Sequence, residues 1–400
     1  MALLALTAAR ILTPLEMIAE GMVIVEGDAI RSVSFREQAE VPSGARLVEL
    51  GDKTLAPGFV DVHIHGGAGH DVMEGTPEAL AAVAALALEH GTTCFVPTTL
   101  TAAPPVLLKS LEGISNALRN WSSRASGTKT PLAEPAGIHL EGPFLSPQRR
   151  GAHPREHLEP PSLSLLGKLL EAAGGWARIL TLAPELPGAG DVQQQAQRSG
   201  VRVALGHSDA THAQAAQAVA AGAALAVHVF NAMRPFAHRE SGILGAVLTD
   251  DRVVTEVIAD GVHVSAPALQ LLLRAKGVNR IALVTDGISA TGCGPGRYRL
   301  GEMEIEVEEN PDSGRLACRN TEGTLAGSVL TLDQAVHNMM EFTGVAFQDA
   351  VTMATLNPAR LLGLEQRKGS LHPGADADLV VLNADGTVAG VMARGRANFL

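Results

Sequence analysis

The chain has 400 residues, with 31 Lys and Arg against 42 Asp and Glu for a net charge of −11, and aromatics at 3%. That balance argues against a general nucleic-acid binder, which needs a basic groove and stacking rings. A hydrophobic content of 46% excludes disorder as the main state, and 42 Gly and 22 Pro without a fixed period exclude collagen-like and repeat architectures.

The N-terminal stretch MALLALTAAR is apolar but has no basic segment before it, so no secretory signal is expected. Residues 1–57 then alternate short β-rich runs with turn signals, such as Met22-Val23-Ile24-Val25 before Glu26-Gly27-Asp28. From Gly58 onward the pattern changes to strands alternating with helices. The first helix is signalled by Thr76 as a cap, Pro77 in the first turn and Gly91 past the end.

Eight apolar strand candidates follow one another, centred on residues 58–62, 93–96, 136–140, 178–182, 201–205, 224–227, 253–258 and 281–284. Strands alternating with helices over this length describe a TIM-type (β/α)8 barrel. An open doubly wound sheet is the alternative, but no GxGxxG turn follows any strand. The C-terminus returns to the β-rich style in Ala377-Asp378-Leu379-Val380-Val381-Leu382. The expected α/β architecture is therefore a barrel over residues 58–364 and a small β-sandwich domain built from both termini, residues 1–57 and 365–400.

The three cysteines, Cys94, Cys293 and Cys318, make no CxxC pair, which points to a reducing cytoplasm. The longest apolar run, Ala79–Leu88, is ten residues, whereas a bilayer takes about 20. Neither a membrane nor a nucleic acid is expected as a partner.

Composition leaves 14 His unexplained, and their positions are informative. His63 and His65 fall at the end of the first strand, Glu141 of the third, His207 of the fifth and His228 of the sixth. Asp260 and Asp286 close the seventh and eighth. In a barrel these ends converge on one mouth, where active sites are built. Strand residues i and i+2 point the same way, so His63 and His65 share a face. Two imidazoles with added carboxylate oxygens suit a zinc-type cation. Each residue alone has an ordinary reading as a packed histidine or a turn carboxylate; the joint placement is what favours a metal. His90 suits a helix C-terminus, His212, His238, His337 and His372 read as solvated, and His70, His139 and His157 stay unassigned. Glycine-rich loops place His153 and His263 near the mouth.

These residues resemble the amidohydrolase superfamily, and within it the deacetylases of amino-sugar 6-phosphates. The resemblance rests on Pro57–Gly66 with its HxH, His139–Phe144, Gly206-His207-Ser208, His228–Met233, Ala259–His263, Thr285-Asp286-Gly287 and Leu325–Ser328. It implies Glu141, His207 and His228 as common metal ligands, with His63 and His65 as the pair found where a second metal is held. Glu141 would then be the bridge. Asp286 matches the catalytic aspartate and is counted with the metal ligands as well. Asn231, Ala232 and Arg239 match phosphate-binding positions, and Ala152, His153, His263 and the turn Leu325-Ala326-Gly327 match substrate contacts. His153 is also a candidate for stabilising the oxyanion. One departure lies at Arg234–His238, between the phosphate-site positions.

The resemblance further implies one or two divalent cations per subunit, zinc first with iron, cobalt or manganese as alternatives, and a homodimer. The implied reaction is hydrolysis of the acetamide of N-acetyl-D-glucosamine 6-phosphate, with the galactosamine-configured phosphate as an alternative. Other amidohydrolases bridge their metals with a carbamylated lysine. None of Lys53, Lys109, Lys129, Lys168, Lys276 and Lys368 ends one of the eight strands. A silent sugar-phosphate sensor would have no use for Asp286.

Overall fold

The computed structural model describes residues 3–13, 16–38, 40–128, 130–311 and 313–399; Lys129 lies outside them. The barrel strands are Phe59–Ile64, Thr92–Thr99, Ile138–Glu141, Ala177–Leu182, Arg202–Leu205, Leu225–Ala226, Val254–Val257 and Ile281–Leu283. Every one overlaps an apolar run read from the sequence. Consecutive strands pair in parallel around the sheet. The seam between the first and eighth closes through a parallel bridge of Ile64 with Gly287, and through Asp286 N–H donating to the His63 carbonyl at 2.9 Å.

Parallel strands with both faces covered are apolar almost throughout, which is why they read as short continuous runs. Phe59, Phe95, Leu140, Leu180 and Leu205 are all within one buried core. Local chemistry sets the returns. Pro77–Glu89 is helical, Thr76 Oγ1 accepts from the Ala79 N–H at 3.2 Å, and Gly91 follows at φ +83°. A Cβ on Gly91 would also sit 2.8 Å from the Phe59 ring, so that turn needs glycine twice over.

The two ends of the chain meet in one sheet. Strand Leu379–Leu382 runs antiparallel to Thr54–Pro57, which lies beside Leu3–Leu12. Its core of Leu6, Ile11, Val23, Leu55, Leu379 and Met392 is separate from the barrel's.

One element was not anticipated. After the eighth strand the chain forms a three-stranded antiparallel sheet, Gly296–Leu300, Met303–Glu309 and Leu316–Asn320. Its apolar face, Leu300, Ile305, Val307 and Cys318, packs on Leu100, Ala152, Ile288 and Ala326. This flap therefore stands beside the mouth of the barrel.

Candidate metal centre and active site

The strand ends bring the expected residues together. Glu141 is the last residue of its strand, and its Oε1 lies 3.2 Å from His207 Nε2, 3.0 Å from His228 Nε2 and 3.4 Å from His63 Nε2. Its Oε2 lies 3.3 Å from His65 Nε2 and 3.2 Å from His153 Nε2. Asp286 faces this group, with Oδ1 at 3.2 Å from His65 Nε2 and 3.7 Å from His63 Nε2. Seven ionisable side chains, drawn from residues 63 to 286, thus share one buried cluster.

Three of the histidines, His63, His65 and His207, are held by their outer nitrogens. His207 Nδ1–H donates to the Arg149 carbonyl at 3.1 Å and His65 Nδ1–H to the Thr98 carbonyl at 3.1 Å. That bonding fixes the tautomer with a bare Nε2 facing inward, the form in which imidazole binds a metal. His207 Nε2 and His228 Nε2 stand 3.1 Å apart, and His63 Nε2 is buried without a hydrogen-bond partner. Converging lone pairs, a carboxylate between them and an orphaned buried nitrogen fit a divalent cation of the zinc type.

Electrostatics agree. Burial and the charge of His153 drive His207 down to about 4, so it is neutral and able to act as a ligand. Burial opposes a proton on His65, but Asp286 and Glu141 outweigh it and lift the group to about 9, so its Nε2 holds a proton at neutral pH that a bound cation would displace. Burial also opposes ionisation of Asp286; the His65 hydrogen bond and the neighbouring imidazoles prevail and hold it at about 2. Asp286 is thereby a carboxylate able to accept a proton.

Backbone strain marks the same place. His207, His228 and Asp286 have φ of +45°, +27° and +49°, where L-residues are disfavoured. Such strain persists where surrounding structure over-determines it and clusters at functional sites. Here Glu185 supplies part of that support, accepting from Ser208 Oγ–H at 2.8 Å and Asp209 N–H at 2.6 Å directly after His207.

The cluster forms the floor of a cavity of about 390 Å³, whose walls include Ala152, Asn231, Ala232, His263, Leu325 and Gly327. Asp260 does not face the cluster. It accepts from the Val262 and His263 amides at 2.8 Å each and pairs with His263 Nδ1 at 2.7 Å, which orients that ring. Ala326 is fully buried under the turn rather than on the wall.

Arg239 is not brought to the cavity within a single chain. Its loop is pinned at Arg234, paired with Asp209 at 2.9 Å, and at Glu240, which accepts from His212 N–H at 2.8 Å. Residues Pro235–Arg239 between these pins are exposed. The lysine or arginine that does line the cavity is Arg319, on the last flap strand. The sequence reading missed it together with the flap. It also missed two fully buried carboxylates inside apolar strands. Asp61 accepts from Thr285 Oγ1–H at 2.6 Å, and Glu256 pairs with His63 Nδ1 at 2.9 Å. Among the described residues, no lysine lines this cavity. A larger cavity of about 520 Å³, beside Trp121, Trp176 and Arg396, is lined by no histidine.

A family model, the amidohydrolase family, matches residues 54–397. The chain belongs to the amidohydrolase family. It is 37% identical to the N-acetylglucosamine-6-phosphate deacetylase of Bacillus subtilis, over 98% of this chain and 96% of that protein. It is 38% identical to the N-acetylgalactosamine-6-phosphate deacetylase of Escherichia coli O157:H7, over 86% of this chain and 87% of that one. A mutant N-acetyl-D-glucosamine-6-phosphate deacetylase of Mycobacterium smegmatis, in complex with N-acetyl-D-glucosamine-6-phosphate, superimposes with a TM-score of 0.90 at 36% identity over 99% of both chains. Within the amidohydrolase family, the fold described above thus has well-matched relatives.

Proposed function

We propose that this amidohydrolase removes the acetyl group of N-acetyl-D-glucosamine 6-phosphate, giving D-glucosamine 6-phosphate and acetate. The observation that carries the reading is the convergence of bare imidazole nitrogens on Glu141 with Asp286 facing them, on the floor of a cavity sized for one sugar. Relatives named for this reaction support the substrate.

An acetamide is a weak electrophile with a poor leaving group. Glu141, His207 and His228 would hold one divalent cation, zinc by donor type, and His63 with His65 a second. When bound, such a cation supplies Lewis acidity, making water a nucleophile near neutral pH and polarising the carbonyl. Asp286 takes the water proton and returns it to the departing nitrogen, serving as base and then acid. His153, buried against Glu141, donates toward the oxygen that becomes negative. His263, oriented by Asp260, offers its free nitrogen to the sugar. The Leu325–Gly327 turn closes the sugar's other side.

For the phosphate, the Asn231 side chain, the Ala232 amide and one arginine form the anchor. Arg319 stands on the cavity wall, whereas Arg239 is an exposed loop cation of the same chain; both are carried forward as anchors to be separated by mutation. A local anchor is required, because a chain of net charge −11 does not attract anions by its overall field. We further infer a cytoplasmic homodimer. The three cysteines are unpaired, as a reducing compartment favours, and sedimentation tests the dimer. No helix among the described residues is long and apolar enough to cross a membrane.

The test is acetate release from a panel of N-acetylated amino-sugar phosphates, first with chelator and then with added Zn²⁺. Release from the glucosamine-configured phosphate, abolished by chelator and restored by metal, is expected. Absence of release from every phosphate after metal addition sinks the reading, and faster release from the galactosamine-configured one transfers it to that substrate.

A further inference from the structure

Behind the histidines that face the cavity lies a charge that the reaction does not use. Glu256 sits in the seventh barrel strand, Val254–Val257, and both it and His63 are fully buried. Its Oε2 is 2.9 Å from His63 Nδ1, while its Oε1 has no hydrogen-bond partner. A buried carboxylate is costly where a leucine would pack well, so its charge needs a use. The other histidine of this layer, His139, does not supply one. Its Nδ1–H donates to the Val62 carbonyl at 3.2 Å, and its Nε2 accepts from Thr181 Oγ1–H at 2.7 Å. His63 is therefore the side chain that Glu256 serves.

The contrast with the neighbouring imidazoles is specific. His65 and His207 are oriented by backbone carbonyls, which are neutral acceptors. His228 Nδ1 has no partner at all. Among the described residues of the cluster, His63 alone is oriented by a carboxylate at its outer nitrogen. Its inner nitrogen belongs with His65 and Asp286 in one group whose ligand atoms lie within 4.8 Å of one another. His63 is also grouped with Glu141 and His228, its Nε2 lying 3.4 Å from Glu141, so it stands where the His65–Asp286 side meets the Glu141 side, while His207 belongs with Glu141 and His153. A carboxylate accepting Nδ1–H fixes the imidazole tautomer and makes Nε2 a stronger donor.

We propose that Glu256 is a positioning residue that makes His63 a strong ligand, and so decides whether the His63–His65 side holds its own divalent cation. The proposal rests on the metal-centre reading above, but its readout is metal bound rather than turnover. Glu256→Gln keeps the shape and removes the charge. The amide can also turn its NH₂ toward Nδ1, which moves the ring proton to Nε2 and spoils the donor. Glu256→Leu removes the acceptor entirely. Full-length proteins would be stripped, reloaded with Zn²⁺, and assayed for metal per chain by mass spectrometry. Affinities would come from competition with a chromophoric chelator, with His207→Asn as the control for the opposite side.

The wild type should take up two cations per chain. Glu256→Gln should weaken one of them by about 10- to 100-fold and leave the other within about twofold. His207→Asn should weaken the other. Two cations of unchanged affinity in Glu256→Gln overturn the proposal, and so does a wild type that takes up a single cation. If Glu256→Leu does not fold, Glu256→Gln still decides. A wild type that binds two cations but releases no acetate defeats the proposed reaction and leaves this assignment standing.

Discussion

The barrel carries a buried charge cluster at each end, and the two are built on opposite principles. At the base, Lys368 is 1% exposed and its Nζ lies 2.8 Å from Glu134, 2.9 Å from Asp376 and 2.7 Å from Asp378. Arg367 bridges Glu134 and Asp376 again, and Asp378 accepts from the Arg394 amide at 2.8 Å. Cation and anions close on one another, and the cluster ties the terminal sheet to the barrel. At the mouth, His65 and His207 donate outward to backbone carbonyls, and their inner nitrogens face Glu141, with His207 Nε2 also against His228 Nε2. The same residue classes are thus self-satisfied at one end and arranged to receive a cation at the other. This matches the general division of such barrels into a stabilising bottom and a catalytic top.

The sharpest way to break the comparison is at Asp286. Asp286→Asn keeps size and loses the proton-accepting charge, so turnover should fall by about 10³-fold while bound metal and folding persist. Acetate release per mole of metal-loaded protein measures it. Activity near that of the wild type would mean that the mouth does not use Asp286 as base and acid.

At the base the expected effect is on stability instead. Lys368→Met removes the cation from three carboxylates and should cost about 3–5 kcal/mol, read by urea denaturation. Turnover per folded molecule should stay unchanged, because Lys368 lies at the far end from the cavity. A loss of activity in fully folded Lys368→Met would erase the distinction between the two ends.

Acid sharpens that result. Burial alone would raise Glu134 and Asp376, but Lys368 and Arg367 hold both below their ordinary values. Depressed carboxylates contribute stability above their unfolded-state pKa, near about 4, and lose it as pH falls through the lower folded value. Lys368 is shifted the other way, upward, so its contribution is fully present below its ordinary value of 10.5 and is lost as pH rises through the raised one. The melting-temperature gap between wild type and Lys368→Met should therefore be widest near neutral pH and narrow on acidification below about 4. A gap that widens in acid would contradict the pairing.

Most of the frame was legible in the sequence, and the reasons for the rest are physical. The eight strands read correctly because strands covered on both faces leave little room for polar residues. The residues that gather at the mouth were legible because strand ends interrupt those runs with His, Glu and Asp. Glu256 and Asp61 escaped because their meaning lies in partners 193 and 224 positions away, His63 and Thr285. A charge inside an apolar run was the available signal. The flap was legible as strands, since Glu304-Ile305-Glu306-Val307 alternates, but not as a wall of the site. That depends on its apolar face meeting Leu100 and Ile288. The left-handed backbone at His207, His228 and Asp286 left no trace, because glycine is absent from all three positions. We propose the domain limits, 1–57 with 365–400 against 58–364, on the separate cores of the terminal sheet and the barrel.

The smallest expected effect separates two arginines, of which the sequence resemblance pointed to Arg239 and the cavity lining points to Arg319. Arg319 lines the cavity and gives one donor to the Gly323 carbonyl at 2.8 Å, with no carboxylate pairing it among the described residues. Its backbone bridges Leu325, so the flap fixes it beside the substrate-facing turn. Arg239 is held away from this chain's cavity by its pinned loop. Arg319→Ala should lower kcat/KM for the 6-phosphate by about tenfold, a modest figure because the side chain is exposed and its charge is screened. The same change should scarcely alter hydrolysis of the unphosphorylated sugar. Arg239→Ala run in parallel decides between the two. If it, and not Arg319→Ala, selectively penalises the phosphorylated substrate, the anchor reaches the phosphate from outside a single chain's cavity. Equal losses on both substrates would remove either arginine from the anchor. In that case Asn231 and the Ala232 amide are left to bind the phosphate by neutral donors.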